Sequence, residues 1–169
     1  MKNKMLNKLL QNPSGVKLSL LNCILSWAIP FNAPHGFRLL RDDDGVSAII
    51  PFKRKNLNHI QSIHACALAT GGEFCAGIYL LKSFPSTDYR LILSNLQVEY
   101  LYQAKTNVIC SVSANESKKH AALQEIQSIG KSLIDLETIL KDDSQNVVAK
   151  VITKWQIKRW DQVRTLTAS

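Results

Sequence analysis

Ile60-Gln61-Ser62-Ile63-His64-Ala65-Cys66-Ala67-Leu68-Ala69-Thr70-Gly71-Gly72-Glu73-Phe74-Cys75-Ala76-Gly77-Ile78-Tyr79-Leu80-Leu81-Lys82 is the longest apolar, alanine-rich run in the chain. Its apolar side chains, among them Ala65, Leu68, Phe74, Ile78 and Leu80, surround a helix axis instead of forming one stripe. A helix that is apolar all round is a buried one. The stretch therefore predicts a long central helix enclosed by other elements. The Gly71-Gly72 pair costs roughly 1 kcal/mol per glycine against alanine in a helix interior. It marks either a bend or a place where another backbone comes close.

Working outward, Lys2 to Leu10 carries Met5, Leu6, Leu9 and Leu10 at helical spacing, and Pro13-Ser14-Gly15 stops it. Val16 to Ala28 is a second helix with Leu18, Leu21, Leu25 and Ala28 on one stripe, ended by Pro30 and Pro34. Phe37–Arg41 and Val46–Phe52 flank the turn signal Asp42-Asp43-Asp44-Gly45 and read as a hairpin. Beyond Pro85 the period becomes two. Leu91, Leu93, then Leu96, Val98, Tyr100 and Tyr102 predict one long bent strand, and Val108 to Ala114 another. A short surface helix over Glu116–Gln127 follows, then strands over Leu133–Leu140 and Val147–Ile157, linked by a turn at Asp142–Asn146. In the last strand Val147, Ala149, Val151, Thr153, Trp155 and Ile157 share a face; Lys150, Lys154 and Lys158 suit the solvated face of an edge or outer strand. A curved antiparallel sheet wrapped around one central helix is the simplest packing of this order, an α+β layout known as the hotdog fold.

The chain has 169 residues, 46% apolar and 20% charged, which fits a single domain over 1–169 with residues 1–30 packed on it as a helical segment. Lys and Arg number 21 against 13 Asp and Glu, a net charge of +8. Such a surface attracts phosphates, whether on nucleic acid, lipid or coenzyme A, and does not choose among them. Nothing but charge speaks for nucleic acid, and no nucleic-acid role is expected. Cys23, Cys66, Cys75 and Cys110 form no CxxC pair and no zinc-ligand spacing, so they read as free thiols in a reducing compartment. No His stands three or four residues from Cys66 or Cys75 to activate a nucleophile. The apolar stretch Leu18–Phe31 is interrupted by Ser19, Asn22, Ser26 and Pro30, so no membrane span is expected. No apolar signal region follows the basic start, and the expected location is cytoplasmic.

Chemistry concentrates around Glu73. It lies between Leu68 and Ile78 with no charged neighbour nearer in sequence than Lys82. A carboxylate buried without a partner is costly, so such positions tend to be functional. Together with Asn58 and His64, this segment resembles the acyl-CoA thioesterases of the hotdog superfamily, particularly the phenylacetate-pathway type and their relatives. Their pattern is an Asn, a His-Gly-Gly six residues later, and an Asp or Glu nine residues after that His. Asn58, His64 and Glu73 stand at those spacings, and the order of elements suits the family from about Phe31 to Trp160. The pattern departs at His64-Ala65-Cys66, at Gln61 where a Gly is frequent, and at Gly77 where some relatives carry Ser or Thr.

The resemblance implies hydrolysis of acyl thioesters, acyl-CoA or acyl-carrier protein, in a homodimer or a dimer of dimers. The Ala65 amide would hold the carbonyl oxygen, His64 would shape the turn, Glu73 would serve as general base or nucleophile, and Asn58 would position the water or the carboxylate. Lys53-Arg54-Lys55 lies where coenzyme phosphates would reach. No cofactor or metal is implied, coenzyme A being part of the substrate; His59, His64 and Glu73 make a poor metal set. Helix geometry points independently to two chains. Nine residues from His64 to Glu73 mean roughly 13 Å of rise and about half a turn, too far for one carbonyl to touch both. If both serve one reaction, two subunits contribute to each site. The Ala65-Cys66 and Gly77 departures leave a second expectation, a non-catalytic acyl-CoA-binding sensor or carrier.

Overall fold

The computed structural model of the chain describes residues 2–11, 15–42, 45–113 and 115–163, with side chains from residue 6 onward. The stop at Pro13-Ser14, the turn tip at Asp43-Asp44, Ala114 and the side chain of Met5 lie outside the described residues. Along the chain run α1 (Lys2–Gln11), α2 (Val16–Ala28), β1 (Arg38–Leu40), β2 (Gly45–Ile50), α3 (Ala65–Ser83), β3 (Tyr89–Tyr100), β4 (Val108–Ser113), α4 (Glu116–Ile129), β5 (Lys131–Asp142) and β6 (Val147–Arg159). The strands form one antiparallel sheet in the order β1-β2-β4-β5-β6-β3. Helix α3 lies across it and touches all the strands from β2 to β6. This is the hotdog fold expected from the sequence.

Burial explains the arrangement. Cys75, Ala76 and Leu80 are fully buried, and Leu68, Phe74 and Ile78 nearly so, whereas Thr70, Glu73, Gly77 and Leu81 follow one another at helical spacing as a half-buried stripe. Facing it are Ile50, Val108, Leu140, Val151 and Ile157, each with no exposed surface. Each such aliphatic side chain contributes roughly 1.5–3 kcal/mol by leaving water. Gly71 and Gly72 mark a close approach and not a bend, because α3 continues unbroken through them. The approaching atoms are side chains of the sheet. A Cβ at Gly71 would run into Ile50, and one at Gly72 would lie 2.6 Å from Val151 Cγ2.

Several boundaries move for local reasons. The central helix was expected from Ile60 and begins at Ala65, because residues 57–64 form a tight loop instead. Gln61 takes φ 56° there, and Leu57 bridges to Ile63. β2 stops at Ile50 since Pro51 has no N–H to continue the ladder. The bend in β3 is a register shift between Leu93 and Asn95, where the apolar parity of the sequence changes. Of the predicted α2 stripe, Leu21 and Leu25 are buried, whereas Ala28 is exposed. β6 is not an edge. It pairs with β5 and β3, its lysines line an outer face, and Lys154 lies 3.7 Å from Asp135.

Candidate active site

The loop into α3 is built by two asparagines. Asn56, 1% exposed, donates from Nδ2 to the carbonyls of Pro51 (2.8 Å) and His35 (3.0 Å). Its Oδ1 accepts from His35 Nδ1 at 3.0 Å, which fixes that imidazole's tautomer. Its own carbonyl accepts from the His64 amide at 2.7 Å. Asn58 closes the next turn, its Oδ1 accepting from the Ile60 and Ser62 amides while Nδ2 donates to Ser62 Oγ at 2.9 Å. The Asn58 carboxamide is thus occupied inside the loop.

His64 is the N-cap of α3, its Nδ1 accepting from the Cys66 amide at 3.0 Å. The His64 carbonyl accepts from Ala67 and Leu68. Of the first four amides of the helix, which have no intrahelical partners upstream, only that of Ala65 donates to nothing among the described residues. Ala65 is exposed, and Tyr100 Oη donates to its carbonyl at 3.1 Å. An open N–H at the positive end of a 19-residue helix suits an oxygen on which negative charge develops.

Glu73 stands eight residues on, about 12 Å along the axis. Its carboxyl makes no hydrogen bond and no ion pair among the described residues, and burial pushes its pKa above the ordinary glutamate value. It lies on the wall of a cavity of about 320 Å³. Gly77 and Leu81 continue the same helix face, Leu91 and Trp155 come from β3 and β6, and Ile29, Phe31 and Asn32 close it from the segment after α2. Gly77 leaves room for the carboxyl and for the indole edge of Trp155, whose Cη2 would lie 3.4 Å from a Cβ there.

Within one chain, then, the open amide and the acid are well separated along α3. Lys53, Arg54 and Lys55 occupy the 3-10 turn before the loop: Arg54 and Lys55 are exposed, and Lys53 folds over Gly36. Among the described residues no group of three His, Cys, Asp or Glu could hold a metal. Burial pushes the Cys75 thiol up to about 12, which leaves it inert as a nucleophile. Sequence reasoning missed Asn56, Asn32 and Trp155. Asn56 carries an Asn-to-His link that only the fold creates.

The family described as Domain of unknown function (DUF4442) matches residues 25–157. The chain belongs to this family. A comparison with curated proteins finds no match. Among solved structures, this DUF4442 chain is similar to PA5026 of Pseudomonas aeruginosa, described as a protein of unknown function and probable thioesterase. The two are 26% identical, with a TM-score of 0.75 over 88% of this chain and 99% of that one. It also resembles thioesterase HI1161 of Haemophilus influenzae, at 8% identity and a TM-score of 0.70 over 92% and 98% of the two chains. A protein of unknown function from Chlorobaculum tepidum matches at 16% identity and a TM-score of 0.72, over 83% and 93%. The last two likenesses show the fold. Among the described residues of the DUF4442 chain no helix is long and apolar enough to cross a membrane.

Proposed function

We propose that this DUF4442 protein hydrolyses acyl thioesters, of coenzyme A or of an acyl carrier protein, at sites shared between two copies of the chain. The observation that carries the reading is the Glu73 carboxyl, unpartnered and largely buried on the wall of an otherwise mostly apolar cavity. The naming of PA5026 as a probable thioesterase supports it.

In this reading the acyl chain lies in the cavity and the thioester carbonyl oxygen accepts from the open Ala65 amide of the other copy. Glu73 takes one proton from water, whose oxygen attacks the carbonyl carbon. The tetrahedral intermediate collapses, the carbon–sulfur bond breaks, and the thiolate leaves and is protonated, giving one acid and one thiol. Direct attack by Glu73 through an anhydride gives the same products. Asn58 and His64 act by fixing the turn that presents Ala65, and Lys53, Arg54 and Lys55 attract the phosphates of the carrier.

An open sheet edge supports the second copy. β3 is a 12-residue edge strand, and Ile92, Leu96 and Tyr100 on it are 46%, 40% and 49% exposed. Long apolar edges of this kind are templates for pairing with another chain.

Purified protein is assayed against acetyl-, butyryl-, octanoyl- and palmitoyl-CoA by thiol release. Turnover that Glu73→Gln abolishes supports the reading. Saturable acyl-CoA binding without turnover would replace it with the sensor or carrier.

A further inference from the structure

Asn32 follows α2 in the sequence Ile29-Pro30-Phe31-Asn32, a stretch with no helical or strand pattern. It is 8% exposed and lines the same cavity as Glu73. Its backbone is fully engaged: the amide donates to the Ile29 carbonyl at 3.0 Å, and its carbonyl accepts from the His35 and Gly36 amides. The carboxamide, by contrast, has no hydrogen-bond partner among the described residues. The polar atoms Asn32 has left to bring to the cavity wall are therefore those of its side chain.

The polar atoms of the carboxamide are not sealed off without a partner, so they open onto the cavity. The neighbours Ile29, Phe31 and Leu81 make this wall apolar elsewhere. Glu73, the other unpartnered polar side chain named on this wall besides the Trp155 indole, is an acceptor when ionised. A water held in a protein needs two to four polar partners. Glu73 takes one of its hydrogens, and Asn32 Oδ1 is suited to the other.

We infer that Asn32 is a positioning residue that fixes the hydrolytic water against Glu73, so that the water's lone pair is presented to the thioester carbon when Glu73 removes a proton. This rests on the hydrolase reading above. The water's two hydrogens are then divided between two acceptors, only one of which is basic enough to take a proton. The Asn32 Nδ2–H₂ group remains to hold the water oxygen or the carboxylate in place.

The test compares wild-type protein with Asn32→Leu, which keeps volume and removes the amide, and Asn32→Ser, which keeps a smaller acceptor. Each is assayed over pH on the best substrate among acetyl-, butyryl-, octanoyl- and palmitoyl-CoA, with Tm measured alongside. For Asn32→Leu the expected result is a kcat about 10- to 100-fold lower, since general-base catalysis as a whole is worth about 10²–10⁴-fold. KM stays within about twofold, and the acid limb of the pH profile moves to higher pH because the ionised Glu73 has lost the support relayed by the water. Asn32→Ser recovers part of kcat. Tm stays close to the wild-type value for Asn32→Leu, since the carboxamide makes no hydrogen bond among the described residues for the change to break. Unchanged kcat and an unmoved acid limb would overturn the inference while leaving the hydrolase reading intact. A kcat loss accompanied by a lowered Tm, with no shift of the acid limb, would also overturn it and assign Asn32 to structure. If the wild-type chain turns over none of the four substrates, the hydrolase reading fails and this inference with it.

Discussion

β1 and β3 are the two edge strands of one sheet, and they meet their surroundings differently. β1 has three residues, and α2 packs beside it. The Asn22 side chain of α2 pairs with its middle residue as another strand would: Leu39 N–H donates to Asn22 Oδ1 at 2.7 Å, and Asn22 Nδ2 donates to the Leu39 carbonyl at 3.1 Å. β3 has four times the length, no such cover among the described residues, and apolar side chains at 40–49% exposure. One edge is closed by the chain itself. The other is left for something else, and it runs past both halves of the candidate site, with Leu91 on the cavity wall and Tyr100 bonded to the Ala65 carbonyl. The contrast teaches where stability and function are separable: substitutions at the β1 edge should cost folding energy, those at the β3 edge assembly and turnover.

The largest expected effect sets the scale. Glu73→Gln should reduce kcat by about 10²–10⁴-fold, with KM little changed and both edges intact. Next comes the open edge. Ile92→Lys together with Leu96→Lys changes two exposed side chains and should leave the folded protomer standing. It should convert the proposed dimer to monomer by analytical ultracentrifugation and lower activity at least about tenfold, as charged edges do when they oppose pairing. An unchanged dimer would break the comparison. Asn22→Ala tests the closed edge. Losing its two bonds to Leu39 should cost about 1–3 kcal/mol, or roughly 2–12 °C in Tm for a chain of this size. Association and kcat should remain unchanged.

The smallest effect is a stability difference with a defined sign. Burial raises the Glu73 pKa in the folded state, so the folded protein binds this proton more tightly than the unfolded chain. Stability from this group is complete at acid pH, where both states are protonated, and is lost as pH rises through the folded-state value. Glu73→Gln should therefore raise Tm by a few degrees at neutral pH, about 2–4 °C per kcal/mol, and the gain should vanish in acid. The same raised value should place the acid limb of the wild-type rate profile above that of an ordinary glutamate.

The sequence made much of this legible. A helix apolar on every side announced its own burial, and Glu73 stood out because no cation neighbours it. The parity change between Leu93 and Leu96 foretold the register shift in β3. Other features depend on contacts that no local pattern contains. The helix start was missed by five residues because His64 is an unusual N-cap and because Asn58 bends the preceding segment through side-chain bonds. Lys150, Lys154 and Lys158 suggested the solvated face of an edge or outer strand; the face is solvated, but β6 is an inner strand because β3 crosses to the far side of the sheet and pairs with it. Asn32 lies between Pro30 and Pro34, where a sequence reads only as a break, and its meaning comes from Glu73, 41 positions away.

A shared site can be tested most directly by mixing two inactive chains. Glu73→Gln removes the acid. Ala65→Pro removes the open amide at a cost the fold tolerates, since proline suits the first position of a helix and His64 already has φ −64° and ψ 140°, an extended conformation suited to a residue before proline. Unfolded together and refolded, the two variants should recover about a quarter of wild-type activity, because half of the dimers are mixed and each holds one intact site. Mixed dimers that form, shown by co-purification through a tag on one variant, yet remain as inactive as either parent would contradict the account.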